Sequence, residues 1–466
     1  MTRLLKLGIA LVPLVGGLAA QSPPGEPIPH VDFAGPALTF DFPWMRIGVA
    51  EYEEGPTGTT VFYFPEGVKA AVDVRGGAPG TVNTDAVRLS YEGQRMQAVV
   101  FSGGSWYGLS AATGAANAIK ALRAEHGERD AIAGVVAGIV YDVGARRFTR
   151  VTPDERLGTA ALRAAREGWF PLGARGAGRF TMQGGFYLKD DTADAAATWA
   201  HSGQGGAFRE IGPTKIAVFT VVNAVGTVVD RDGTVLRCRR NTEGPCPKIS
   251  TLIEEQVRTD PRAHDASTAA DDQAAGPTEN TTLTLVVTNQ KLPHWALERL
   301  AVQVHTSMAR AIQPFATRQD GDVLYAVTTD DVDNPSLGLA RLALIGSEVA
   351  WDAVLTSLPE LPEPPLKTSL ELDVNAQHEF EGAFVFAGGG TLSVAVESGR
   401  LSARFSGRSQ MYFDDGRLYG LLPVRRDVFI IDSPGQDVVR FDRQANRIVG
   451  LTLNPGPWNQ RADRRQ

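Results

Sequence analysis

The chain has 466 residues, and at about 100–200 residues per domain this length predicts two or three domains. Hydrophobic residues make up 43% and charged residues 21% of it, which excludes wholesale disorder, and 50 glycines and 28 prolines indicate many tight turns. The net charge of −7 argues against nucleic acid as a partner, because an acidic surface repels phosphate backbones. Two cysteines are too few for a disulfide scaffold or a cysteine-based zinc ribbon.

The first 20 residues have the pattern of a secretory signal peptide. Arg3 and Lys6 give a basic start, an apolar run extends from Leu7 to Ala20, and small residues precede Gln21. The apolar run of about 14 residues is short for a membrane span. We therefore expect a secreted or periplasmic protein that does not span the membrane. The alternative is a buried N-terminal helix.

The two cysteines are Cys238 and Cys246. In an oxidising compartment a disulfide between them is favoured. The alternative is two free thiols, and in either case the residues between them have the composition of a surface turn.

From about residue 30 to 357 the pattern mixes strands with amphipathic helices. Apolar residues at helical spacing predict helices from Trp106 to Leu122 and from Trp295 to Ile312. Buried strands are predicted at Lys215–Val222, Thr282–Val287 and Val323–Thr328. Residues 258–280 are polar and have no periodicity, which predicts a long flexible loop of a kind that is often functional.

A proline-rich segment, residues 358–366, predicts an extended linker that neither a helix nor a sheet absorbs. From residue 367 to 457 the pattern turns almost wholly to strand. The predicted strands are Ser369–Val374, Glu379–Ala387, Gly390–Glu397, Leu401–Ser406, Gln410–Phe413, Leu418–Val424, Val428–Ile431, Val438–Asp442 and Ile448–Leu453. Such a series is typical of a small antiparallel barrel or sandwich.

Common catalytic and cofactor motifs are absent. The segment Gly103–Tyr107 lacks the final glycine of the G-x-S-x-G nucleophile elbow. There is no S-x-x-K arrangement, no H-E-x-x-H pair and no P-loop lysine, and the seven histidines are scattered. We therefore expect neither a metal nor another cofactor.

A threonine lies where the polar segment meets the next strand, in Glu279-Asn280-Thr281-Thr282. If the Asn280–Thr281 bond breaks, Thr281 becomes an N-terminal residue whose hydroxyl is a nucleophile. Its freed α-amine, with an unperturbed pKa of about 7.7–8.0, can take the hydroxyl proton near neutral pH. This chemistry needs no histidine. The alternative is that Thr-Thr reflects only the β-propensity of threonine.

A longer string, V-D-V-R-G-G-A-P-G-T at Val72–Thr81 with Thr84-Asp85 after it, resembles the hallmark of the DmpA-like L-aminopeptidase/D-esterases. These self-processing hydrolases include the β-aminopeptidases. Shorter pieces match in the family's order, at Thr57–Val61, Gly103–Leu109, Val222–Gly226, Asn280–Thr282, Val287–Asn289 and Asp320–Asp322. The resemblance covers residues 36–355.

The resemblance implies an α/β (α+β) fold, a four-layer αββα sandwich like that of N-terminal-nucleophile (Ntn) hydrolases but with different connectivity. It also implies cleavage into an α chain ending at Asn280 and a β chain beginning at Thr281, whose hydroxyl matches the family nucleophile. We expect a homo-oligomer of these processed pairs.

Four further residues match positions of the family's site. Asn223 matches the side-chain donor of the oxyanion hole and Tyr141 its partner; one such donor is worth about 3–4 kcal/mol. Asp322 matches an acidic residue near the new amine, and Asp320 stands where some members carry serine. From the residues alone, the alternatives are a half-buried strand tyrosine, a turn asparagine and ordinary loop aspartates.

The chain departs from the family in two places. The C-terminal module resembles, by strand pattern, the lipocalin-like module appended to some penicillin-recognising hydrolases, and we expect an accessory structural or specificity role. Family β-aminopeptidases hold the substrate amine with a glutamate near the tyrosine, whereas Gly138-Ile139-Val140 carries no charge. Amidase or esterase action on an uncharged N-terminus therefore stays open.

The leading hypothesis is an exported, self-processing hydrolase acting on a small peptide, amide or ester. A self-processing acyltransferase would use a similar nucleophile. The non-enzyme alternative is a secreted binding protein whose barrel recognises a ligand.

Overall fold

The computed structural model describes residues 26–88, 95–127, 132–143, 146, 149–187, 199–238, 246–259, 280–360, 368, 370–407, 413, 415–433 and 435–465. The predicted signal peptide, residues 260–279 of the predicted loop, and residues 361–367 of the linker region lie outside the described residues, as does most of the predicted strand Gln410–Phe413.

The secondary structure of the first unit is mixed. Its strands are β1 (Ala37–Thr39), β2 (Arg46–Tyr52), β3 (Thr57–Val74), β4 (Thr81–Val82), β5 (Met96–Ser102), β6 (Val135–Ile139), β7 (Arg166–Glu167), β8 (Trp169–Pro171), β9 (Met182–Gln183), β10 (Ala200–His201), β11 (Gln204–Ile211), β12 (Thr214–Val221), β13 (Thr227–Val228), β14 (Leu283–Gln290), β15 (Ile312–Gln313) and β16 (Val323–Val332). Its helices are α1 (Thr84–Arg88), α2 (Ser110–Glu125), α3 (Glu155–Arg163), α4 (Ile249–Thr259), α5 (His294–Ser307) and α6 (Leu339–Leu355).

The predicted elements of this unit match the structure with small boundary changes. The first predicted helix begins as a 3-10 turn at Ser105–Leu109 before α2, and the second is α5 followed by a 3-10 turn at Met308–Arg310. The three predicted strands are β12, β14 and β16. The loop predicted at residues 258–280 starts too early, because helix α4 extends to Thr259.

The long strand β3 belongs to two sheets. Its first half pairs with β2 and β5, and its second half pairs with β16. The main path of strands runs β11-β12-β14-β16-β3-β5-β6-β4. A single 18-residue strand therefore carries the chain from one sheet to the other.

Three hydrophobic clusters divide this unit into four layers. Side chains alternate along each strand, so Leu285 and Phe62 face the space between the sheets, while Val286 faces α5 and α6 and Val61 faces α2 and α3. Apolar residues fill all three spaces. The αββα sandwich expected from the resemblance is confirmed.

The second unit is a closed antiparallel barrel. Its strands, in the order in which they pair, are β17 (Gly382–Phe386), β18 (Thr391–Glu397), β19 (Arg400–Ser406), β20 (Leu418–Arg425), β21 (Val428–Ile431), β22 (Val438–Gln444), β23 (Arg447–Leu453) and β24 (Gln460–Arg464). The predicted small barrel is confirmed.

Aromatic rings fill the barrel interior. Phe380 packs against Phe429 with ring centroids 4.9 Å apart, and Phe384 packs against Phe441 at 5.5 Å. Eight strands enclose a space that side chains alone can fill. The barrel interior is therefore a packed core. This packing argues against the alternative in which a lipocalin-like barrel binds a ligand in its interior.

Two details of the barrel differ from the sequence prediction. The described residues at the end of the predicted strand Ser369–Val374 form no strand, and the short helix α7 (Val374–Gln377) begins there because the Asp373 carboxylate accepts the Asn375 N–H. The closing strand β24 was missed, because Q-R-A-D-R is a charged string in which only alternate residues, such as Ala462, face inward.

Two further observations concern the chain as a whole. Cys238 and Cys246 form a disulfide. Among the helices of the described residues, none is long and apolar enough to cross a membrane.

Helices α2 and α3 pack with their backbones in close contact. A Cβ atom at Gly158 would lie 2.0 Å from the carbonyl oxygen of Ala111, and one at Gly114 would lie 2.0 Å from that of Glu155. Helix α3 begins with the Asp154 carboxylate accepting the Leu157 N–H at 2.9 Å, which fixes its first turn against α2.

We therefore expect Gly158→Ala to lower the free energy of unfolding by about 1–3 kcal/mol, because the added methyl overlaps a backbone oxygen that cannot rotate away. The control is Gly338→Ala, where a Cβ would have no atom within 4 Å. That control should change stability by less than about 0.5 kcal/mol. Urea denaturation of both variants measures this, and equal stabilities would contradict the close packing.

Candidate active site

The predicted cleavage point lies in the interior, directly before β14. Asn280, Thr281 and Thr282 are all buried. The Asn280 N–H donates to the Gln319 carbonyl at 3.1 Å, and the Thr281 N–H donates to the Asn223 carbonyl at 2.5 Å. The peptide bond between the two residues is thus held from both sides.

The Thr281 hydroxyl lies beside the carbonyl that it would attack. Thr281 Oγ1 donates to the Asn280 carbonyl oxygen at 2.6 Å, and the Gly321 N–H donates to the same oxygen at 2.6 Å. A backbone N–H on that oxygen would stabilise the negative charge that develops when a nucleophile adds to the carbonyl carbon. The arrangement therefore places a hydroxyl and a backbone N–H on the same carbonyl oxygen.

The turn Asp320-Gly321-Asp322 is held by the R-G-G-A segment of the hallmark string. The Arg75 and Gly76 N–H groups donate to the Asp322 carbonyl at 3.0 and 3.2 Å, and the Ala78 N–H donates to the Asp320 carbonyl at 2.9 Å. A Cβ atom at Gly76 would lie 2.1 Å from the Asp322 nitrogen. Glycine is required there because two backbones meet without room for a side chain.

Asp322 is a buried carboxyl beside the Asn280–Thr282 junction. Its Oδ1 accepts the Thr282 N–H at 2.5 Å, and its Oδ2 accepts the Ala316 N–H at 3.0 Å. Burial raises the pKa of Asp322 well above its usual range, and the negative charge of Asp320 raises it further. The two amide N–H groups oppose that rise by stabilising the charged form.

Asp320 is the other carboxyl of the turn. Its Oδ1 accepts the Val225 N–H at 3.1 Å, and its Oδ2 accepts both the hydroxyl and the N–H of Thr317, at 2.6 and 3.0 Å. Burial raises the pKa of Asp320, while the Thr317 hydroxyl lowers it. Perturbed carboxyls in such a pair are typical of functional sites.

The Asn223 side chain has a fixed orientation. Its Oδ1 accepts the Met182 N–H at 3.0 Å, and its Nδ2 donates to the main-chain carbonyl of Tyr141 at 3.1 Å. A carboxamide nitrogen carries two hydrogens, so one remains to meet an oxyanion. The structure thus brings Asn223, the backbone of Tyr141 and Thr281 together.

Behind Tyr141, a buried ion pair fixes the chain. Asp142 Oδ1 accepts the Gly104 N–H at 2.8 Å and pairs with Arg146 at 2.9 Å, and its Oδ2 accepts the Thr57 hydroxyl at 3.0 Å. This network joins two of the pieces that carry the family resemblance, those containing Thr57 and Gly104, to the residue after Tyr141.

The structure therefore brings the five predicted site residues together around the Asn280–Thr281 bond. Asn223 accepts the Thr281 N–H, and Tyr141 is joined to it through its backbone carbonyl and the Asn223 side chain. Asp320 and Asp322 flank Gly321, whose N–H donates to the Asn280 carbonyl. Sequence reasoning missed two groups, the N–H of Gly321 and the N–H of Met182. The first could have been found, because Gly321 stands inside the D-G-D motif. The second had no signal, because a backbone N–H is the same in every residue type but proline.

Two buried polar atoms near the cleavage point, Asn280 Nδ2 and Thr282 Oγ1, have no hydrogen-bond partner among the described residues. Most buried polar atoms in proteins have a hydrogen-bond partner, so these two atoms are exceptions. In the described part of the chain, no three His, Cys, Asp or Glu residues are grouped so that they could hold a metal ion.

Comparison with known proteins identifies relatives along most of this unit. The chain is 39% identical over 375 residues to a 6-aminohexanoate-oligomer endohydrolase of Paenarthrobacter ureafaciens, a match that covers 74% of this chain and 97% of the relative. It is 38% identical over 375 residues to a protein of the same description from Kocuria sp., with the same coverage. An uncharacterised aminopeptidase of Mycobacterium leprae is 32% identical over 289 residues, which cover 59% of this chain and 72% of the relative.

Among solved structures, a β-aminopeptidase of Burkholderia sp. aligns with a TM-score of 0.46 and 16% identity, over 67% of this chain and 83% of that chain. The profile of peptidase family S58 matches residues 39–361. The chain therefore belongs to peptidase family S58, the DmpA family, and is a hydrolase of peptide or amide bonds.

Proposed function

We propose that the chain cuts itself between Asn280 and Thr281 and then hydrolyses amide bonds with Thr281 as its nucleophile. One observation carries the proposal. The Thr281 hydroxyl and the Gly321 N–H meet on the carbonyl oxygen of the bond to be cut, each at 2.6 Å. Attack moves Oγ1 from this oxygen to the carbon that is bonded to it.

The cleavage proceeds in two balanced steps. Thr281 Oγ1 adds to the Asn280 carbonyl carbon, the C–N bond breaks, and the hydroxyl proton goes to the leaving nitrogen, which leaves an ester and a free amine. Water then hydrolyses the ester and gives an Asn280 carboxylate and a free Thr281. We assign the proton transfer of the first step to ionised Asp322, whose carboxylate lies beside the junction and accepts the N–H of Thr282. It takes the proton from Oγ1 and passes it to the leaving nitrogen.

Turnover uses the same hydroxyl. The freed α-amine of Thr281 takes the hydroxyl proton as Oγ1 attacks the substrate carbonyl, and it returns the proton to the leaving amine. Asn223 and Tyr141 stabilise the oxyanion. Because Thr281 N donates to the Asn223 carbonyl before cleavage, the new amine is already held beside the asparagine.

We expect Thr281→Ala to remain one intact chain and to lose at least about 10³-fold in amide hydrolysis, because it has no nucleophile. The matched control, Thr282→Ala, removes a hydroxyl one residue away and should still be cut at the same bond. Intact mass and N-terminal sequencing measure both. Cleavage of Thr281→Ala at Asn280 would show that another residue or a protease makes the cut.

We expect Asp320→Asn to move the acid limb of the self-cleavage rate to lower pH. The negative charge of Asp320 raises the pKa of Asp322, so its removal lowers that pKa and leaves Asp322 ionised at a lower pH. The control, Asp41→Asn, changes an exposed carboxyl and should leave the profile unchanged. The rate of fragment appearance across pH measures this, and a shift to higher pH would exclude Asp322 as the base.

We propose internal amide bonds of an ω-amino acid oligomer as the substrate class. The relatives at 38–39% identity are described as 6-aminohexanoate-oligomer endohydrolases. In this chain, Gly138, Ile139 and Val140 before Tyr141 are buried and uncharged, so they offer no carboxylate for a substrate amine. Without a carboxylate that binds the substrate amine, binding does not favour a bond at the chain end over an internal bond.

We therefore expect an N-acetylated 6-aminohexanoate oligomer to be cut within about tenfold of the rate of the free oligomer. An enzyme that binds the amine would lose about 10²-fold or more on the blocked substrate, because its polar group would be left unpaired. Product chromatography with both oligomers decides this, with Thr281→Ala as the blank. Release of single residues from the free oligomer alone would indicate an aminopeptidase.

We also propose that the protein is exported and that its processed pairs form a homo-oligomer. The Cys238–Cys246 disulfide supports an oxidising compartment, since such bonds rarely persist in the cytosol. In the mass measurement above, an α chain beginning at Gln21 would locate the predicted signal-peptide cleavage. The native mass of the same sample reports whether processed pairs form a homo-oligomer.

A further inference from the structure

The barrel contacts the hydrolase unit through the loop between β23 and β24. The Trp458 ring stacks on the His201 ring, with centroids 3.8 Å apart and planes 6° from parallel. The Arg179 Nε donates to the Pro457 carbonyl at 2.8 Å, and Arg179 also pairs with the buried Glu51. Both stacked rings are buried, so the contact is part of the folded core.

The contact lies on a short two-stranded ribbon, β9 and β10. His201 stands directly opposite Met182 in that ribbon. The Phe180 ring contacts the edge of His201 at 5.3 Å. Phe180 and Met182 belong to the same hydrophobic cluster as the barrel core, so the barrel supports the ribbon from one side.

On its other side, the ribbon contacts the oxyanion asparagine. The Met182 N–H donates to Asn223 Oδ1 at 3.0 Å. This bond and the bond from Asn223 Nδ2 to the Tyr141 carbonyl together fix the carboxamide, because an N–H group faces an acceptor and a carbonyl faces a donor. If the Met182 bond is lost, the Tyr141 carbonyl holds the carboxamide at one end alone, and the second Nδ2 hydrogen loses its fixed direction toward the oxyanion.

We infer that Trp458 of the barrel is a positioning residue for amide hydrolysis, acting through His201 and Met182 on the carboxamide of Asn223. The inference rests on the proposed function, in which Asn223 stabilises the oxyanion during turnover. The barrel then has a defined role: it keeps the β9–β10 ribbon in the position that orients one side chain of the active site.

Self-cleavage supplies an internal control. The oxygen of the bond that is cut is held by the Gly321 N–H, and the backbone carbonyls of the turn Asp320–Asp322 accept bonds from residues 75–78, which are not part of the ribbon. A variant that merely fails to fold would lose both reactions. A variant that only frees Asn223 would cut itself and lose turnover.

The experiment compares Trp458→Ala with Trp458→Phe, which keeps an aromatic ring over His201. A second control, Val449→Ala, changes a partly exposed residue of β23 that is not in the loop between β23 and β24. Each full-length variant is followed for self-cleavage, then for kcat and KM on the 6-aminohexanoate oligomer. The side-chain amide of Asn223 is monitored by ¹⁵N–¹H NMR, assigned with Asn223→Asp.

We expect Trp458→Ala to cut itself at the normal rate, to lose about tenfold or more in kcat, and to keep KM within about twofold, because the oxyanion contact is made only in the transition state. Trp458→Phe should recover most of kcat, and Val449→Ala should match the wild type. The Asn223 amide resonance should move in Trp458→Ala alone.

An unchanged kcat, a raised KM with unchanged kcat, loss of self-cleavage together with kcat, or an unmoved Asn223 resonance in Trp458→Ala would each overturn the inference. If the wild-type chain neither cuts itself nor hydrolyses the oligomer, the proposed function fails instead. In that case the Asn223 resonance still decides whether Trp458 orients this side chain.

Discussion

The active site depends on three backbone hydrogen bonds between residues 75–78 and residues 320–322. They hold one turn whose Gly321 N–H and Asp322 carboxyl contact the residues just before β14, while its Asp320 carboxyl contacts Val225 and Thr317. The two segments lie too close together to admit a side chain at either glycine, since a Cβ at Gly76 or Gly321 would overlap backbone atoms of the other segment. The glycines of the hallmark string thus serve the close approach of two loops, and the chemistry is supplied by the residues that this approach positions.

The electrostatics of the site follow from the same packing. Two carboxyls, separated in the chain by Gly321, are buried, and among the described residues the partners of their oxygens are N–H groups and a hydroxyl. Amide donors stabilise a carboxylate without neutralising it, so the negative charge of Asp320 still raises the pKa of Asp322. A salt bridge at the same place would lower both pKa values. The site instead keeps a carboxyl whose protonation can change during a reaction.

Much of this site could be predicted from the sequence, because its parts are local strings with fixed roles. The Asp320–Asp322 turn, Asn223 and the Thr281 junction each stand in a short motif, and alternation predicted β12, β14 and β16. The rest depends on contacts between distant residues. The stack of Trp458 on His201 joins positions far apart in the chain, and the Met182 N–H has no sequence signature at all. The strand β24 was missed because its outward residues are charged and only Gln460 and Ala462 are buried on its inward face.

The strand order also bears on what a cut at Asn280 would mean for the molecule. Strands β14 and β16 follow the cut, yet they lie between β12 and β3, which precede it. The two pieces would share one sheet, so they could part only by breaking strand pairs at its centre. Unfolding, however, would release two molecules instead of one, and refolding would then require them to find each other again. Cleavage would leave the native structure little changed but would make unfolding close to irreversible. The lifetime of the folded protein would then be set by the rate of unfolding.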